Sequence, residues 1–411
     1  MARVTVITPY FWPEVTASVP LMTTLCEDLV LAGHEVTVVT SLPCRNVNDE
    51  TRVAFLRNRT VPEVYRGARV LRFPNPYAGR KGVLAKVLEG VVFTVWAMYS
   101  AVRYGWKTDA FLVYSNPPLL ALPVSMCTLM KRVPIIYNLQ DLFPDSAIAD
   151  GVLKNRVLIT LFRHLERLTY CRAAVTASIC PSFAQHVLRV CPRARTVVLP
   201  NWVDTDGIDY VQPESNEFIA NLGLQDKFVV LYAGNMGFAQ NLDVVVDAAA
   251  LLRNRPGIAF AMIGDGQYKE SIRDKASRLS LSNMVFLPMQ PQERVAEVYS
   301  AGDIGLVTVR KGREYSSMPS KTWTIMACRR PVIACVGADS ELGRLLTTEG
   351  IGLVVPPDSP QKLANAILTL YDDQPLRQRL GMKGRLYVET NLSRKVITSA
   401  YSRLLDELTQ R

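Results

Sequence analysis

Histidine is scarce in this chain: His34, His164 and His186 are the only three among 411 residues. The eight cysteines, at 26, 44, 127, 171, 180, 191, 328 and 335, include no C-x-x-C pair. A zinc centre needs clustered sulfur and nitrogen ligands, and a disulfide framework needs many cysteines in a short chain. Neither is expected, and this cysteine usage points to a reducing compartment. The opening Arg3-Val-Thr-Val-Ile-Thr-Pro reads as a first buried strand, unlike a signal peptide. The segment from Val83 to Tyr104 reads as an apolar helix, but its apolar part, Gly90 to Val102, falls short of the roughly 20 residues that span a bilayer. The loop at 9–18 lacks the paired glycines of a dinucleotide fingerprint, which argues against a nicotinamide pocket.

Acid is also scarce in one region. Between Arg52 and Lys107 eleven Lys and Arg face only Glu63 and Glu89, so this stretch carries +9 of a net charge of +10. No helix-turn-helix, RRM or zinc-finger pattern accompanies the charge, so nucleic acid is not the expected partner. The helix at 83–104 carries Phe93, Trp96 and Tyr99, with Trp106 close by. Two readings of it stay open: a core-packed helix with a solvated basic rim, or a helix lying on an anionic membrane surface.

What is present is an alternating α/β pattern long enough for two domains, with 49% hydrophobic and 20% charged residues. Val4–Thr8, a helix over 17–32 stopped by Gly33, and a strand over 35–40 form an opening βαβ unit of a doubly wound sheet. Further strands are expected at 110–114, 134–137, 173–176 and 196–199, and a polar linker at 205–221. Ligands of such sheets sit beyond the carboxyl ends of strands. That rule draws attention to Asp141, just past the strand at 134–137, whereas Asp145 reads as a helix cap.

A second series then repeats strand, glycine turn and helix. Phe228–Tyr232 leads into Ala233-Gly-Asn-Met-Gly237, and Ala259–Ile263 leads into Gly264-Asp265-Gly266. The strand at 304–309 runs into Ser316-Ser317-Met-Pro319-Ser320-Lys321-Thr-Trp-Thr324, an apolar helix and Pro331. Glycines let backbone approach a ligand, and hydroxyls with an ammonium at a strand end suit an anion, most plausibly phosphate. An ordinary loop with a solvated lysine is the competing reading.

In combination and order, these motifs resemble family 4 retaining glycosyltransferases of the GT-B fold, in the WcaI/WbuB-like branch of bacterial exopolysaccharide and O-antigen enzymes. The likeness spans Tyr10-Phe-Trp-Pro13-Glu14, Gly33-His-Glu-Val36, Asn116-Pro-Pro118, Asp141-Leu-Phe-Pro-Asp145, Pro200-Asn-Trp-Val-Asp204, Tyr232 to Gly237, Gly264 to Gly266 and Met318 to Ile333. The resemblance implies two Rossmann-like domains facing a cleft, with residues 1–204 plus a crossover helix at 393–411 binding acceptor and 205–392 binding a nucleotide-diphospho-sugar. It places Gly234, Asn235 and Gly237 under the diphosphate, and Gly264, Asp265 and Gly266 beside the nucleotide. Pro288 and Met289 would meet the base, and Ser316, Ser317, Pro319, Ser320 and Thr324 line the donor side. Lys321 and Asp141 take the catalytic places, and Pro13, Glu14 and Asn116 the acceptor side. No metal or cofactor is expected, since cations and dipoles can stabilise a departing diphosphate. The implied acceptor is lipid-linked, at the inner face of the plasma membrane, with UDP preferred to GDP in the donor.

Two departures from the family pattern stand out. Asn235 and Gln240 occupy the places of an Arg and a Lys after the glycine loop, and Ser316 and Thr324 those of two glutamates. Lys321, with Arg310 or Lys311, is the substitute source of positive charge. Two alternatives remain on the same fold: a nucleotide-sugar 2-epimerase, and a catalytically silent partner subunit.

Overall fold

The computed structural model describes the chain except for residues 17, 58–62, 81, 128–131, 317 and 411. It divides into two compact units, Met1–Asn201 with Lys395–Arg411, and Trp202–Arg394.

The first unit is built on eight strands: β1 (Arg3–Ile7), β2 (Glu35–Ser41), β3 (Glu63–Tyr65), β4 (Ala68–Phe73), β5 (Ala110–Tyr114), β6 (Ile135–Leu139), β7 (Val175–Ser178) and β8 (Thr196–Val198). Their order is β3-β4-β2-β1-β5-β6-β7-β8, and every pair is parallel except β3 with β4. Val4 lies between Val36 and Ala110 in register. β5 and β6 are buried along their whole length, which is why they read as unbroken apolar runs.

The second unit holds β9 (Phe228–Ala233), β10 (Ile258–Ile263), β11 (Met284–Leu287), β12 (Ile304–Thr308), β13 (Val332–Cys335) and β14 (Gly352–Val355). Their order is β11-β10-β9-β12-β13-β14, and all pairs are parallel. Val230, Tyr232, Phe260, Met262, Ile304 and Leu306 meet in one core. Each such fully buried side chain contributes about 1.5–3 kcal/mol relative to exposure. In this order the chain leaves β9 in one direction and returns to β12 in the other. The carboxyl ends of β9 and β12 therefore flank the point where the strand order reverses, the usual place for a ligand. The first unit has the same feature at β1 and β5.

The C-terminal helix Arg394–Thr409 groups with the first unit from Lys395 onward. Its Tyr401 hydroxyl accepts a bond from Asn138 Nδ2 at 2.6 Å. His34 Nε2 meets Ser402 Oγ at 2.9 Å, and Arg195 pairs with Glu407 at 2.7 Å.

One element went unread in the sequence, and two expectations need correction. Within the basic stretch β3 and β4 form a hairpin through Arg66 and Gly67, both at positive φ. Its charged residues alternate with Val64, Ala68 and Val70, a pattern masked by the density of arginine. Residues 205–221 are not a free linker. Asn216 caps the helix Glu217–Leu222, Phe218 and Ile219 are buried, and Arg385 donates to the carbonyls of Thr205, Ile208 and Ala327 at 2.7–2.8 Å. Cysteine is not all free. Cys171, in the last turn of the helix Arg156–Arg172, is disulfide-bonded to Cys191, which ends the helix Pro181–Val190, with their Cα atoms 6.1 Å apart. No spacing rule reveals a pair brought together by two helix ends.

Arg385 is 8% exposed and answers three backbone acceptors that water cannot reach easily. Arg385→Ala should destabilise the protein by about 3 kcal/mol, the scale for stranding several buried polar groups. A urea midpoint equal to the parent's would remove this anchoring role.

Candidate active site

The loops after β9 and β10 are locked together by backbone. Gly234 N–H donates to Ile263 O at 2.9 Å, Met236 N–H to Asp265 O at 2.8 Å, and Tyr268 N–H to Met236 O at 3.0 Å. A Cβ on Gly264 would lie 1.9 Å from Gly234 O, so this position admits only glycine. The Gly264-Asp265-Gly266 turn is thus first a packing requirement, and its glycines seat the Gly234 loop. Asp265 is exposed, as are Pro288 and Met289 beyond β11.

Lys321 opens the helix Lys321–Ala327 and reaches back to that loop. Its stem is half-exposed, but Nζ is buried and has no hydrogen-bond partner among the described residues. Nζ lies 3.7 Å from the Tyr232 ring centroid and 3.0 Å from where a Cβ of Gly234 would stand. Tyr232 is itself fully buried, its hydroxyl donating to Asn235 O at 2.6 Å. The aromatic face offsets part of the cost of the buried ammonium. Burial pushes Lys321 down from 10.5 to about 7.

The two family positions that lack cations form a neutral turn. Gln240 Oε1 accepts from Gly237 N–H at 3.0 Å and from Asn235 Nδ2 at 3.4 Å. The next helix, Asp243–Leu251, carries a carboxylate in its own first turn, so its positive end is already matched. Arg310 comes to the same loop from the end of β12. Its guanidinium lies 3.5 Å from the Phe238 ring centroid, and Nε donates to Phe238 O at 3.0 Å. Lys311 is exposed.

Along the Ser316–Lys321 stretch the residues differ in use. Ser316 is buried, and its hydroxyl donates to Arg313 O at 3.2 Å, so it is closed into its own turn rather than presented to a donor. Pro319, Ser320 and Thr324 are half-buried, and Ser317 lies outside the described residues. Glu314, two residues ahead of Ser316, was not singled out by the sequence. It is 6% exposed, and its Oε2 has no hydrogen-bond partner among the described residues. An acid inside a turn that looks solvent-facing carries no pattern that marks it as buried.

The remaining candidates belong to the first unit, at the ends of β1, β5 and β6. Glu14 is buried rather than facing an acceptor. Its carboxylate accepts from the backbone N–H groups of Cys44 at 3.0 Å, Arg45 at 3.1 Å and Phe11 at 3.3 Å, holding loop 42–45 against loop 9–14. Burial raises its pKa, opposed by those three donors. Pro13 is half-buried and Asn116 exposed. Asp141 is exposed two residues past β6; burial raises the pKa values of Tyr114 and Tyr137, and the charge of Asp141 adds a smaller push in the same direction. His34 and His186 are both buried in structural contacts, His186 with Glu166 at 2.8 Å.

Comparison with known proteins gives a consistent result. The model of the 4-like glycosyl transferase domain matches residues 19–202, and that of group 1 glycosyl transferases matches 214–387. WcaI of Escherichia coli K12, a putative colanic acid biosynthesis glycosyl transferase, is 26% identical over 86% of this chain and 88% of its own. The sucrose-phosphate synthase of Thermosynechococcus elongatus superposes with a TM-score of 0.77 at 18% identity, covering 99% of both chains. Anabaena HepE, solved with UDP and glucose, gives a TM-score of 0.72 at 15% identity over 99% of this chain and all of its own. The shared architecture is the GT-B fold.

The folded protein releases the Lys321 proton near pH 7, whereas the unfolded chain keeps it to about 10.5. Stability therefore rises with pH across that window. Lys321→Met should melt above the parent at pH 6.5, with the gap closing toward pH 10. No gap at pH 6.5 would mean that the ammonium bears no burial penalty.

Proposed function

The chain belongs to the glycosyltransferases that join a 4-like domain to a group 1 domain, and from that premise we propose sugar transfer with retention of anomeric configuration. The donor is a nucleotide-diphospho-sugar, UDP-linked in preference to GDP-linked, carrying a hexose or N-acetylhexosamine. The acceptor is a lipid-linked saccharide of cell-surface polysaccharide synthesis, met at the cytoplasmic face of the membrane. The relation to WcaI supports the pathway class, and the likeness to HepE, solved with UDP, supports the nucleotide.

The observation that carries the reading is the buried, unpartnered Lys321 ammonium beneath Gly234, at the point where the strand order reverses. A diphosphate laid on the Gly234 loop would give it the anion it lacks. Its charge would then be held close to the oxygen that becomes negative as the sugar leaves, with no metal required. Pro288 and Met289 would meet the base beyond β11. Asp141 is assigned to the reacting sugar, and Pro13 and Asn116 to the acceptor.

Glu314 supplies the carboxylate that Ser316 does not. Its unpartnered Oε2 suits a sugar hydroxyl, and we assign it to the donor's sugar rather than to the phosphates. The buried, structurally engaged His34 and His186 offer nothing to an epimerase-type proton abstraction.

Lys321→Ala should lower kcat/KM for transfer about a hundredfold, the scale of losing one preorganised charge. The assay follows label from UDP- and GDP-sugars into polyprenyl-diphosphate-linked saccharide, and parent-like kinetics in this variant would sink the assignment. Glu314→Gln should raise the donor KM about tenfold while leaving the Kd for UDP alone unchanged. Equal weakening of UDP and UDP-sugar would move Glu314 to the nucleotide.

A further inference from the structure

The helix Val83–Tyr104 presents two unlike faces. Phe93, Ala97, Ser100 and Ala101 are buried against the first unit, and Gly90 allows Pro117 within 3.2 Å of where its Cβ would be. The opposite face carries Leu84, Val87, Val91, Val95, Val102 and, past the helix end, Trp106, exposed by 53–72%. Their spacing of mostly three and four residues puts them on one stripe, roughly 27 Å long between Leu84 and Val102. Tyr99 is 49% exposed beside them. A run of exposed valines with no covering element among the described residues is costly in water and marks a contact surface.

By length and composition Leu84–Lys107 could cross a membrane. Its inner face forbids this without unfolding the unit. Trp96 stacks on Phe73 at 4.6 Å and donates to Pro74 O at 3.0 Å, fixing the helix to the end of β4. The helix therefore lies along the surface. From Val87 to Val102 none of its exposed residues is charged, while exposed Lys86 stands near one end and exposed Arg103 and Lys107 at the other. The two acids of the surrounding basic stretch are both neutralised, Glu63 by Arg72 at 2.6 Å and Glu89 by Arg45 at 3.0 Å.

We propose that this stripe docks the protein flat on an anionic membrane surface, with Leu84 to Trp106 in the acyl–headgroup boundary and Arg103 and Lys107 on lipid phosphates. An interfacial helix combines just these parts, an apolar face with cations at its margins. A second copy of the chain is a poor occupant. Laid parallel, it would bring Arg103 and Lys107 against their like, with no exposed acid on the helix to answer them. The inference deepens the lipid-linked acceptor reading and rests on it for its purpose. Through Gly90 and Pro117 it sets the exposed Asn116 loop beside the docked helix.

The test is sedimentation of the full chain with phosphatidylcholine vesicles containing or lacking 30% phosphatidylglycerol, a share set by roughly one anionic lipid for each few headgroups. Binding should need phosphatidylglycerol and weaken as salt is raised. Val91→Glu with Val95→Glu should reduce partitioning about thirtyfold, from two charges repelled at the surface, with melting temperature and UDP affinity unchanged. Arg103→Gln and Lys107→Gln together should flatten the salt dependence. Absence of vesicle binding, equal binding by the Val91/Val95 variant, or a dimer in solution that this variant abolishes would each overturn the proposal. A protein that binds UDP but not vesicles fails this inference alone, and one that binds vesicles but not UDP fails only the donor reading.

Discussion

An ammonium buried without a hydrogen-bond partner is unstable unless something negative arrives. Lys321 is in that position, and the surrounding structure keeps it there. The Tyr232 ring supports it on one side, and Gly234 leaves the space above it open because a side chain there would strike Nζ. Tyr232 in turn is fixed through Asn235 O, and the Gly234 loop is held by the backbone of the 264–266 turn. Each neighbour of the cation is thereby rigid before any ligand binds. Such preorganisation lets a charge act in a reaction without reorganisation at the moment of reaction.

The redistribution of charge explains the neutral glycine loop. With the cation supplied from below by the helix after β12, a second one at Asn235 or Gln240 would crowd like charge into one small volume. Instead Gln240 closes the loop by accepting from Gly237 N–H, and Thr308 Oγ1 donates to Gln240 O, tying the ends of β9 and β12 together. Arg310 adds positive charge over Phe238, where its guanidinium is already engaged with a carbonyl and a ring. It shapes the loop, and the ligand-seeking charge is left to Lys321.

Much of this was legible in the sequence, for physical reasons. β5, β6, β9 and β10 are buried on both faces, so they appear as continuous apolar runs that no other element would produce. Gly234 and Gly264 stand where a side chain would collide with Lys321 Nζ or with backbone, and their spacing after a strand exposes that requirement. What escaped depends on contacts distant in the chain. Glu14 resembles a site acid, yet it is consumed by three backbone donors from loops 11 and 44–45. Glu314 resembles a solvated acid, yet it is buried. The Cys171–Cys191 bridge and β3–β4 hairpin likewise arise from proximity or alternation hidden beneath other composition.

The same distinction separates the two faces of the Val83–Tyr104 helix. Sequence alone shows a helix rich in valine and aromatic residues, and aromatics are the natural candidates for a membrane interface. The structure divides them otherwise: Phe93 is buried, Trp96 is stacked on Phe73, and the exposed stripe is mostly valine. Valine has little reason to be left in water on one side of a helix whose other side already fills a core. An apolar stripe that the unit does not need for its own folding, bounded by cations and lacking acids, is therefore best understood through what lies outside the protein.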